Sequence, residues 1–190
     1  MKNETQMFLA ILDEAKRLSG EKGYNGWSYQ DISDAIKISK ASIHHYFAKK
    51  QDLGCAIVRH HRQLIRTRLQ AINAQCKNSK DKLKALVDLY AEILENGISV
   101  CPCGMLLADM MTLPEALQSE IKDFFADHRS WVCQVLLSAK KQEVFIAGSA
   151  EQQAFVIVSF LQGALLMARL EKSPSVFFKK AALQFLQQFR

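Results

Sequence analysis

The stretch Ser28–Phe47, SYQDISDAIKISKASIHHYF, decides the fold of the chain, because it reads as two short helices joined by a tight turn. Ser28 stands where an N-cap belongs, and Asp31 can return a bond to it, as in a capping box. The turn begins at Lys37, and Ser39 can cap the second helix. The pattern therefore predicts a helix, a turn and a second capped helix within twenty residues.

The second short helix, residues 40–47, has few side chains to bury. Ile43 and Phe47 lie at i, i+4 and form its inner side. Its other side chains are mostly donors and aromatic rings, namely Lys40, Ser42, His44, His45 and Tyr46. A helix that buries so little and displays such groups fits a DNA groove better than a protein core.

The flanking sequence extends this pattern into a resemblance. An amphipathic helix and a Glu-Lys-Gly-Tyr turn precede Ser28, and Lys50 opens a long helix. Over about residues 5–60 the chain resembles the helix-turn-helix domain of the TetR family of transcriptional repressors. The resemblance implies an all-α fold of about nine helices, with an N-terminal three-helix DNA-binding domain at residues 1–49 and a C-terminal helical effector-binding and dimerisation domain at residues 50–190.

Two positions depart from the family pattern. The family usually has Gly at the turn where this chain has Lys37, and a positive φ at a residue with a Cβ costs about 1 kcal/mol. The family also usually has Tyr where His44 stands. Both positions read as variation within the motif.

The resemblance also implies roles in DNA binding. Ser28, Tyr29 and Lys50 would contact phosphates, while Gln30 and the second helix would enter the major groove, where Gln can pair with adenine and Lys with guanine. The predicted DNA-binding residues are Ser28, Tyr29, Gln30, Ser39, Lys40, Ala41, Ser42, His44, His45, Tyr46 and Lys50.

Length and charge agree with this interpretation. The 190 residues suffice for a small head on a larger body, and three Pro and eight Gly are typical of a compact helical chain. Between Lys37 and Lys82, eleven Lys or Arg stand against two Asp, so the segment carries +9 and the rest of the +6 chain carries −3. Such a stripe is either a solvated helix face or the footprint of a nucleic-acid binder, and the neighbouring motif favours the second.

Several other classes of protein are not indicated. No apolar run approaches the roughly 20 residues of a membrane span, and the N-terminus does not read as a signal peptide. An odd number of cysteines, five, favours reduced thiols in the cytoplasm. The pairs His44-His45 and His60-His61 point about 100° apart on a helix, and no motif completes a metal or catalytic site. The sequence therefore predicts no enzyme, no metal, no cofactor and no membrane partner.

The segment Cys101-Pro102-Cys103-Gly104-Met105 is the other distinctive feature. It resembles a TetR subgroup in which a similar segment opens the sixth helix beside the effector cavity, and in which some members sense electrophiles or oxidants through cysteine. The alternative is that the two cysteines are small buried residues. The predicted effector-binding or redox residues are Cys101, Cys103, Met105, Phe124, His128, Trp131 and Phe160. They suit a small hydrophobic or electrophilic effector, although the same residues would also make an ordinary core.

The remaining chain predicts helices, and the last two are apolar on nearly every side. The predicted helices outside the motif are residues 5–21, 50–75, 80–96, 105–111, 114–142, 149–171 and one starting at Ser173-Pro174. The extra apolar face of the last two predicts a homodimer through a four-helix bundle, which the resemblance also implies. Two heads held apart in this way can read a palindromic operator in double-stranded DNA.

Two functions from different classes remain open on the sequence alone. The first is a TetR-type repressor released from its operator by a small-molecule or thiol-reactive inducer. The second is a helical dimeric interaction protein, or a cryptic enzyme, that does not bind DNA. Salt-dependent binding to duplex DNA discriminates between them.

Overall fold

The computed structural model describes residues 2–95, 101–139 and 148–188, and within these ranges the chain is helical and has no strand. The helices are α1 Lys2–Lys22, α2 Tyr29–Ile36, α3 Lys40–Tyr46, α4 Lys50–Gln75, α5 Ser79–Glu95, α6 Pro102–Ala108, α7 Glu115–Leu137, α8 Ala150–Ala168 and α9 Pro174–Leu186. A short 3-10 helix, Met110–Thr112, follows α6. The predicted all-α class is confirmed.

Most helix bounds agree with the sequence analysis, and α4 spans the predicted residues from end to end. The sixth helix is the exception, because it was expected to begin at Met105 and begins at Pro102. Proline fits the first turn of a helix, where its missing N–H has no intrahelical partner in any case. The seventh helix also differs, because it was predicted to extend to about residue 142 and ends at Leu137, before the described residues 138–139. The predicted end of the fifth helix at residue 96 lies outside the described residues.

The chain forms two compact units, and each draws on two stretches of sequence. The first comprises Met1–Gln63 and Pro102–Phe124, and the second comprises Leu64–Cys101 and Phe125–Arg190. The predicted division into a DNA-binding domain and an effector domain between residues 49 and 50 is a functional boundary, and it stays a prediction.

Apolar residues at helical spacing build the core of the first unit. On α1 the buried side is Ile11, Leu12, Ala15 and Leu18, as their spacing predicted. Trp27 is also buried, and its indole N–H donates to the Ser19 hydroxyl at 3.0 Å. That hydroxyl donates in turn to the Ala15 carbonyl at 2.8 Å. Every polar atom of this small network is thereby bonded, which limits the cost of burying it.

The connection between α1 and α2 is held by the segment that follows α6. The carboxylate of Asp109 accepts the backbone N–H of Tyr24 at 2.7 Å, and the Asn25 amide donates to the Thr112 hydroxyl at 2.8 Å. Gly23 has a φ of 71°, and a Cβ there would lie 2.8 Å from the Asp109 carboxylate. The close approach of Asp109 therefore requires glycine at this position.

In the second unit, α9 packs against α5 and α8. Tyr90 of α5 contacts Phe178 of α9 edge-on, with ring centroids 6.2 Å apart. Phe160 of α8 stacks on Phe185 of α9, with ring centroids 3.8 Å apart. Aromatic pairs of these geometries add to the burial of apolar area and fix the three helices side by side.

Helix α8 is apolar on most sides, as predicted, yet the sequence analysis expected no helix that could pass as a membrane span. It is long and apolar enough to pass as a membrane span by length and composition, and 39% of that stretch is buried in the protein. A single such helix is weak evidence for a span, because the core helix of a globular protein has the same composition.

We predict that Asp109→Ala lowers the free energy of unfolding by about 1–2 kcal/mol, because the Tyr24 N–H loses its partner. Asp109→Asn keeps an acceptor oxygen and should lose less. Urea denaturation followed by far-UV circular dichroism measures both variants. Equal stability of Asp109→Ala and the parent chain would show that the turn does not depend on this bond.

Candidate nucleic-acid interface

The two short helices are fixed at their ends by local hydrogen bonds. The Ser28 hydroxyl accepts the Gln30 N–H, and the Asp31 carboxylate accepts the Ser28 N–H at 2.8 Å, which completes the predicted capping box. The bonds from the Ser28 hydroxyl and N–H hold the pKa of Asp31 at about 2, so the box persists at any physiological pH. Ser39 caps α3 by accepting the Ser42 N–H at 3.1 Å. These caps set the start of both helices.

The turn between α2 and α3 is left-handed. Lys37 has φ 58° and ψ 43°, and its N–H donates to the Ser33 carbonyl at the end of α2. A residue with a Cβ pays a steric cost in this conformation, as the missing family glycine implied. The Ser33 hydroxyl donates to the Ile38 carbonyl at 2.5 Å and closes the turn from the other side. Lys37 thus keeps the tight turn at some expense in stability.

Helix α3 turns one side inward and leaves the other in solvent. Ile43 and Phe47 are buried, as predicted. The remaining predicted residues are exposed at Ser39, Lys40, Ala41, His44 and His45 and half-buried at Ser42 and Tyr46. A depression of about 480 Å³ runs beside them, lined by Glu4, Met7, Ala41, Ser42, His45 and Tyr46. The seven-residue helix therefore presents a continuous polar and aromatic surface.

The side chains predicted to contact phosphates are less available than the exposed residues of α3, because their donor groups are already hydrogen-bonded within the protein. The Ser28 hydroxyl donates to Asp31 at 2.7 Å. The Tyr29 phenol is buried and donates to the Phe47 carbonyl at 2.9 Å, and burial raises its pKa to about 12, which keeps that proton in place. A phosphate oxygen can only accept, so either side chain would first have to release its partner.

Lys50, the third predicted phosphate contact, is also hydrogen-bonded within the protein. Its ammonium donates to the Tyr24 carbonyl at 2.6 Å and to the Trp27 carbonyl, and it lies 4.2 Å from the Trp27 ring centroid. Burial lowers the pKa of the Lys50 amine. One donor of the three remains for a phosphate. The sequence analysis predicted the capping role of Ser28 but missed the internal hydrogen bonds of Tyr29 and Lys50. The phosphate contacts of all three residues stay predictions.

Gln30 is exposed at the start of α2, as a groove contact requires. Its amide nitrogen donates to the Asp34 carboxylate at 2.7 Å, one turn further along the helix. Bidentate pairing with adenine needs both the amide oxygen and the amide nitrogen. Gln30 would therefore have to leave Asp34 before it could bind a base in the predicted way.

The basic stripe is largely neutralised along α4. Four arginines pair with carboxylates of their own unit: Arg59 with Glu120 and Arg62 with Asp123 in the first, Arg66 with Asp127 and Arg68 with Glu92 in the second. By contrast, Lys37, Lys40 and Lys49 are exposed and form no ion pair with any residue that the structure describes. Lys77, Lys80 and Lys82, which follow α4 in the chain, are likewise in no ion pair with the described residues. The unpaired positive charge of this segment therefore lies at its two ends and not along α4.

The predicted effector residues are divided between the two units. Cys103, Met105 and Phe124 belong to the first unit, and the others, Cys101, His128, Trp131 and Phe160, belong to the second. Cys101, Cys103 and Phe124 are fully buried. Within the units, Phe124 packs on His61 with centroids 5.4 Å apart, and His128 stacks near Tyr90 at 6.3 Å. An effector cavity formed by the whole set stays a prediction.

Two further cysteines have the properties of inert thiols. Burial raises the pKa of the Cys55 thiol. Burial, together with the negative charge of Glu151, raises the pKa of the Cys133 thiol. Because the thiolate is the reactive form, both side chains are poor nucleophiles at neutral pH.

A capped helix, a tight turn and a second capped helix with a polar outer side define a helix-turn-helix DNA-binding protein. A family model for bacterial regulatory proteins of the tetR family matches residues 11–56, and one described as an LmrA/YxaF-like transcriptional regulator C-terminal domain matches residues 79–182. The chain therefore belongs to the TetR family, whose members are transcriptional regulators and not enzymes.

Similar proteins support this assignment along the whole chain. A TetR-family regulator from Agrobacterium tumefaciens has a TM-score of 0.90 at 27% identity, over 97% of this chain and 98% of that one. A TetR regulator from Legionella pneumophila has a TM-score of 0.83 at 30% identity, over 95% and 96%. The Escherichia coli repressor NemR is 23% identical over 86% of this chain and 84% of its own. The crystal structure of reduced NemR has a TM-score of 0.79 at 22% identity, over 96% and 97%.

We predict that Lys37→Gly raises the free energy of unfolding by about 1 kcal/mol, because glycine adopts the left-handed conformation without a Cβ clash. Lys37→Ala is the matched control, since it removes the same charge but keeps the Cβ. Chemical denaturation compares the three proteins. A gain in Lys37→Ala as large as in Lys37→Gly would assign the effect to charge and not to the backbone.

Proposed function

We propose that this protein is a TetR-type repressor that binds a palindromic operator as a homodimer and leaves it when an inducer binds. The observation that carries the proposal is the outer side of α3, where polar and aromatic side chains are solvent-exposed between two fixed ends. The repressor function is supported by the similarity to NemR, which is a transcriptional repressor. A regulator of this kind works in the cytoplasm, where the genome is.

Bases and phosphates would be contacted by different parts of this surface. Lys40 and Ala41 lie in the first turn of α3, and the first turn of a recognition helix is the part that reaches base edges. Lys40 can donate to guanine O6 and N7, and the Ala41 methyl can contact a thymine methyl. Lys49 is exposed beyond the end of α3, where a cation would meet the phosphate backbone. Sequence preference and salt dependence would thus come from different lysines.

The homodimer is supported by the outer face of α8. Phe155 is 56% exposed and Met167 is 57% exposed, and both lie on a helix whose opposite face is buried. Between them, Ser159 and Gly163 are exposed and small, and a Cβ at Gly163 would meet nothing within 4 Å. An apolar face with small residues at its centre allows two helices to approach closely. A second copy of α8, with α9 beside it, is the occupant that we propose.

The inducer that we propose is a small hydrophobic or electrophilic molecule. Support comes from the chemistry of the predicted residues, which are apolar or aromatic apart from the thiols of Cys101 and Cys103 and the imidazole of His128. NemR has been crystallised in a form described as reduced, which makes thiol chemistry a reasonable property to test here. An inducer of either kind must bind more tightly to the DNA-free state than to the DNA-bound state, because only differential affinity shifts the equilibrium.

We predict that selection of bound sequences from random duplexes yields a palindrome, and that two lysine variants separate its contacts. Lys40→Ala should relax the preference at one position of each half-site, at a cost of about 1–3 kcal/mol for the preferred sequence. Lys49→Ala should weaken all duplexes alike and reduce the salt slope by about one unit per head. Fluorescence anisotropy at several salt concentrations measures both effects.

The same experiment discriminates between the two functions. A chain that ignores duplex DNA at low salt would favour the helical interaction protein. Unchanged preference in Lys40→Ala would remove this lysine from the base-reading set.

We predict that Phe155→Glu weakens the homodimer by about tenfold or more, because the two-fold axis would bring two carboxylates into a buried apolar contact. Leu64→Glu is the control, since Leu64 is 47% exposed on α4 and lies outside α8 and α9. Sedimentation velocity over a range of concentrations gives the association state. A dimer in Phe155→Glu as tight as in the control would place the contact elsewhere.

A further inference from the structure

Three side chains that can ligate a metal ion meet at the start of α6. They are His61 of α4, Cys103 in the first turn of α6, and Cys101, which directly precedes Pro102 in the chain. One imidazole nitrogen and the two sulfur atoms all lie within 4.8 Å of one another. We name these three residues the thiol–imidazole cluster. His61 stands far from both cysteines in the sequence, so no local motif indicated the cluster.

The cluster is positioned by the first unit and by the chain itself. His61 and Cys103 both belong to that unit. Cys101 is joined to it by a peptide bond, and only Pro102 separates the two cysteines. Phe124, also of the first unit, packs against the His61 ring with centroids 5.4 Å apart. This contact restricts the imidazole, as a ligand that must keep one orientation requires.

The composition of the cluster favours a thiophilic ion. Thiolate and imidazole ligands suit Cu⁺ and Zn²⁺, whereas Mg²⁺ and Ca²⁺ require oxygen ligands. Bonds of about 2.3 Å to sulfur and about 2.0 Å to nitrogen place two ligands of one ion at most about 4.5 Å apart. Because the three ligand atoms are already within 4.8 Å, small movements would bring them onto one ion.

Burial distinguishes the cluster from a chance group of surface side chains. Both cysteines are fully buried, and His61 is 2% exposed. Among the residues that the structure describes, no further His, Cys or carboxylate joins the three. An ion would therefore receive two sulfur ligands and one nitrogen ligand from the protein. The two thiolates would compensate its positive charge, which a charge at a buried position requires.

We propose that the thiol–imidazole cluster binds one thiophilic metal ion, Cu⁺ or Zn²⁺, and that this ion is an effector of operator binding. The effector role rests on the proposed function, whereas the site itself does not. Each cysteine loses its thiol proton to solvent as its bond to the metal forms. Neither the sulfur atoms nor the ion change their oxidation state.

The ion would join the two helices that hold the connection between α1 and α2. Helix α4 carries His61, and the ammonium of Lys50 at its start donates to the Tyr24 carbonyl at 2.6 Å. Helix α6 carries Cys103, and Asp109 just beyond its end accepts the Tyr24 N–H at 2.7 Å. An ion bonded to both helices changes their spacing, and both helices transmit the change to the same connection. We therefore expect ion binding to displace α2 and α3 and to lower the affinity for the operator.

The first test measures ion binding by the purified, reduced chain under anaerobic conditions, with Cu⁺ or Zn²⁺ as the probe. Competition with a chromophoric chelator gives the affinity, and X-ray absorption at the metal edge counts the sulfur and nitrogen ligands. We expect one ion per chain, bound by two sulfur atoms and one nitrogen atom. The absorption spectrum of the parent chain decides the ligand set without any substitution.

Two variants locate the ion. Cys103→Ser and His61→Gln should each weaken its binding by about a hundredfold or more, because losing a ligand costs at least as much as losing a group that only orients one. Cys55→Ser is the matched control, since Cys55 is a buried cysteine of α4 outside the cluster. It should bind the ion as the parent chain does.

The second test measures binding of a duplex from the random-sequence selection, read by fluorescence anisotropy, with and without one equivalent of the ion. The ion should weaken binding by about tenfold or more, within the usual range of coupling between two sites. The duplex should weaken ion binding by the same factor, because the coupling is reciprocal. The duplex affinity of Cys103→Ser should not depend on the ion.

Each contrary result overturns a stated part of the proposal. A parent chain that binds no stoichiometric ion, or an absorption spectrum without sulfur ligands, would overturn the site. Equal loss of the ion in Cys55→Ser and Cys103→Ser would overturn its location. An ion that binds and leaves the duplex affinity unchanged would overturn the effector role. A chain that binds the ion but no duplex would overturn the proposed function and support the metal site.

Discussion

The ammonium of Lys50 is the interaction on which the helix-turn-helix depends. It donates to the carbonyls of Tyr24 and Trp27 in the connection between α1 and α2, and it lies over both of their rings. Carbonyl dipoles and ring faces compensate part of the desolvation that lowers the pKa of the amine. Asp109 binds the N–H of the same Tyr24. The connection is thereby bonded through two carbonyls and one N–H. The short helices α2 and α3 bury few residues of their own, and this connection fixes their position against α1 and α4.

Pairing of polar groups within the protein also determines the charge of the surface along α4. All four arginines of α4 are paired with acidic side chains, so the formal charge of the segment overstates the field that a nucleic acid would meet. Exposed ion pairs of this kind add little to stability, although they do cancel charge locally. What remains near α3 is a small group of lysines, Lys37, Lys40 and Lys49, and three more unpaired lysines follow α4 at Lys77, Lys80 and Lys82. We infer that affinity for DNA is set by few groups, which makes each of them visible to a single substitution.

Local rules predicted much of this structure, and distant contacts account for what they missed. The caps of α2 and α3, the strained turn at Lys37 and the whole of α4 follow from residues within four positions of one another. The hydrogen bond from the Tyr24 N–H to Asp109 joins residues 85 positions apart, and no local sequence pattern predicts it. Lys50 shows the same limit in the candidate site. Its charge suggested a phosphate contact, and only the fold shows that two backbone carbonyls already bind it.

The composition of α8 has two explanations, and its exposed residues discriminate between them. Small residues on one side occur at helix contacts in membranes as well as in water, so they discriminate only together with the burial of the opposite side within the protein. In α8 the exposed side runs from Phe155 through Ser159 and Gly163 to Met167, while the other side packs in the protein and against α9. One side of α8 is thus covered by the protein, and the other bears an apolar stripe with two small residues in its middle. Such a stripe suits a contact with a second protein helix. The mean hydropathy of α8 is therefore explained by two protein contacts, one within the chain and one, as we propose, with a second copy of it.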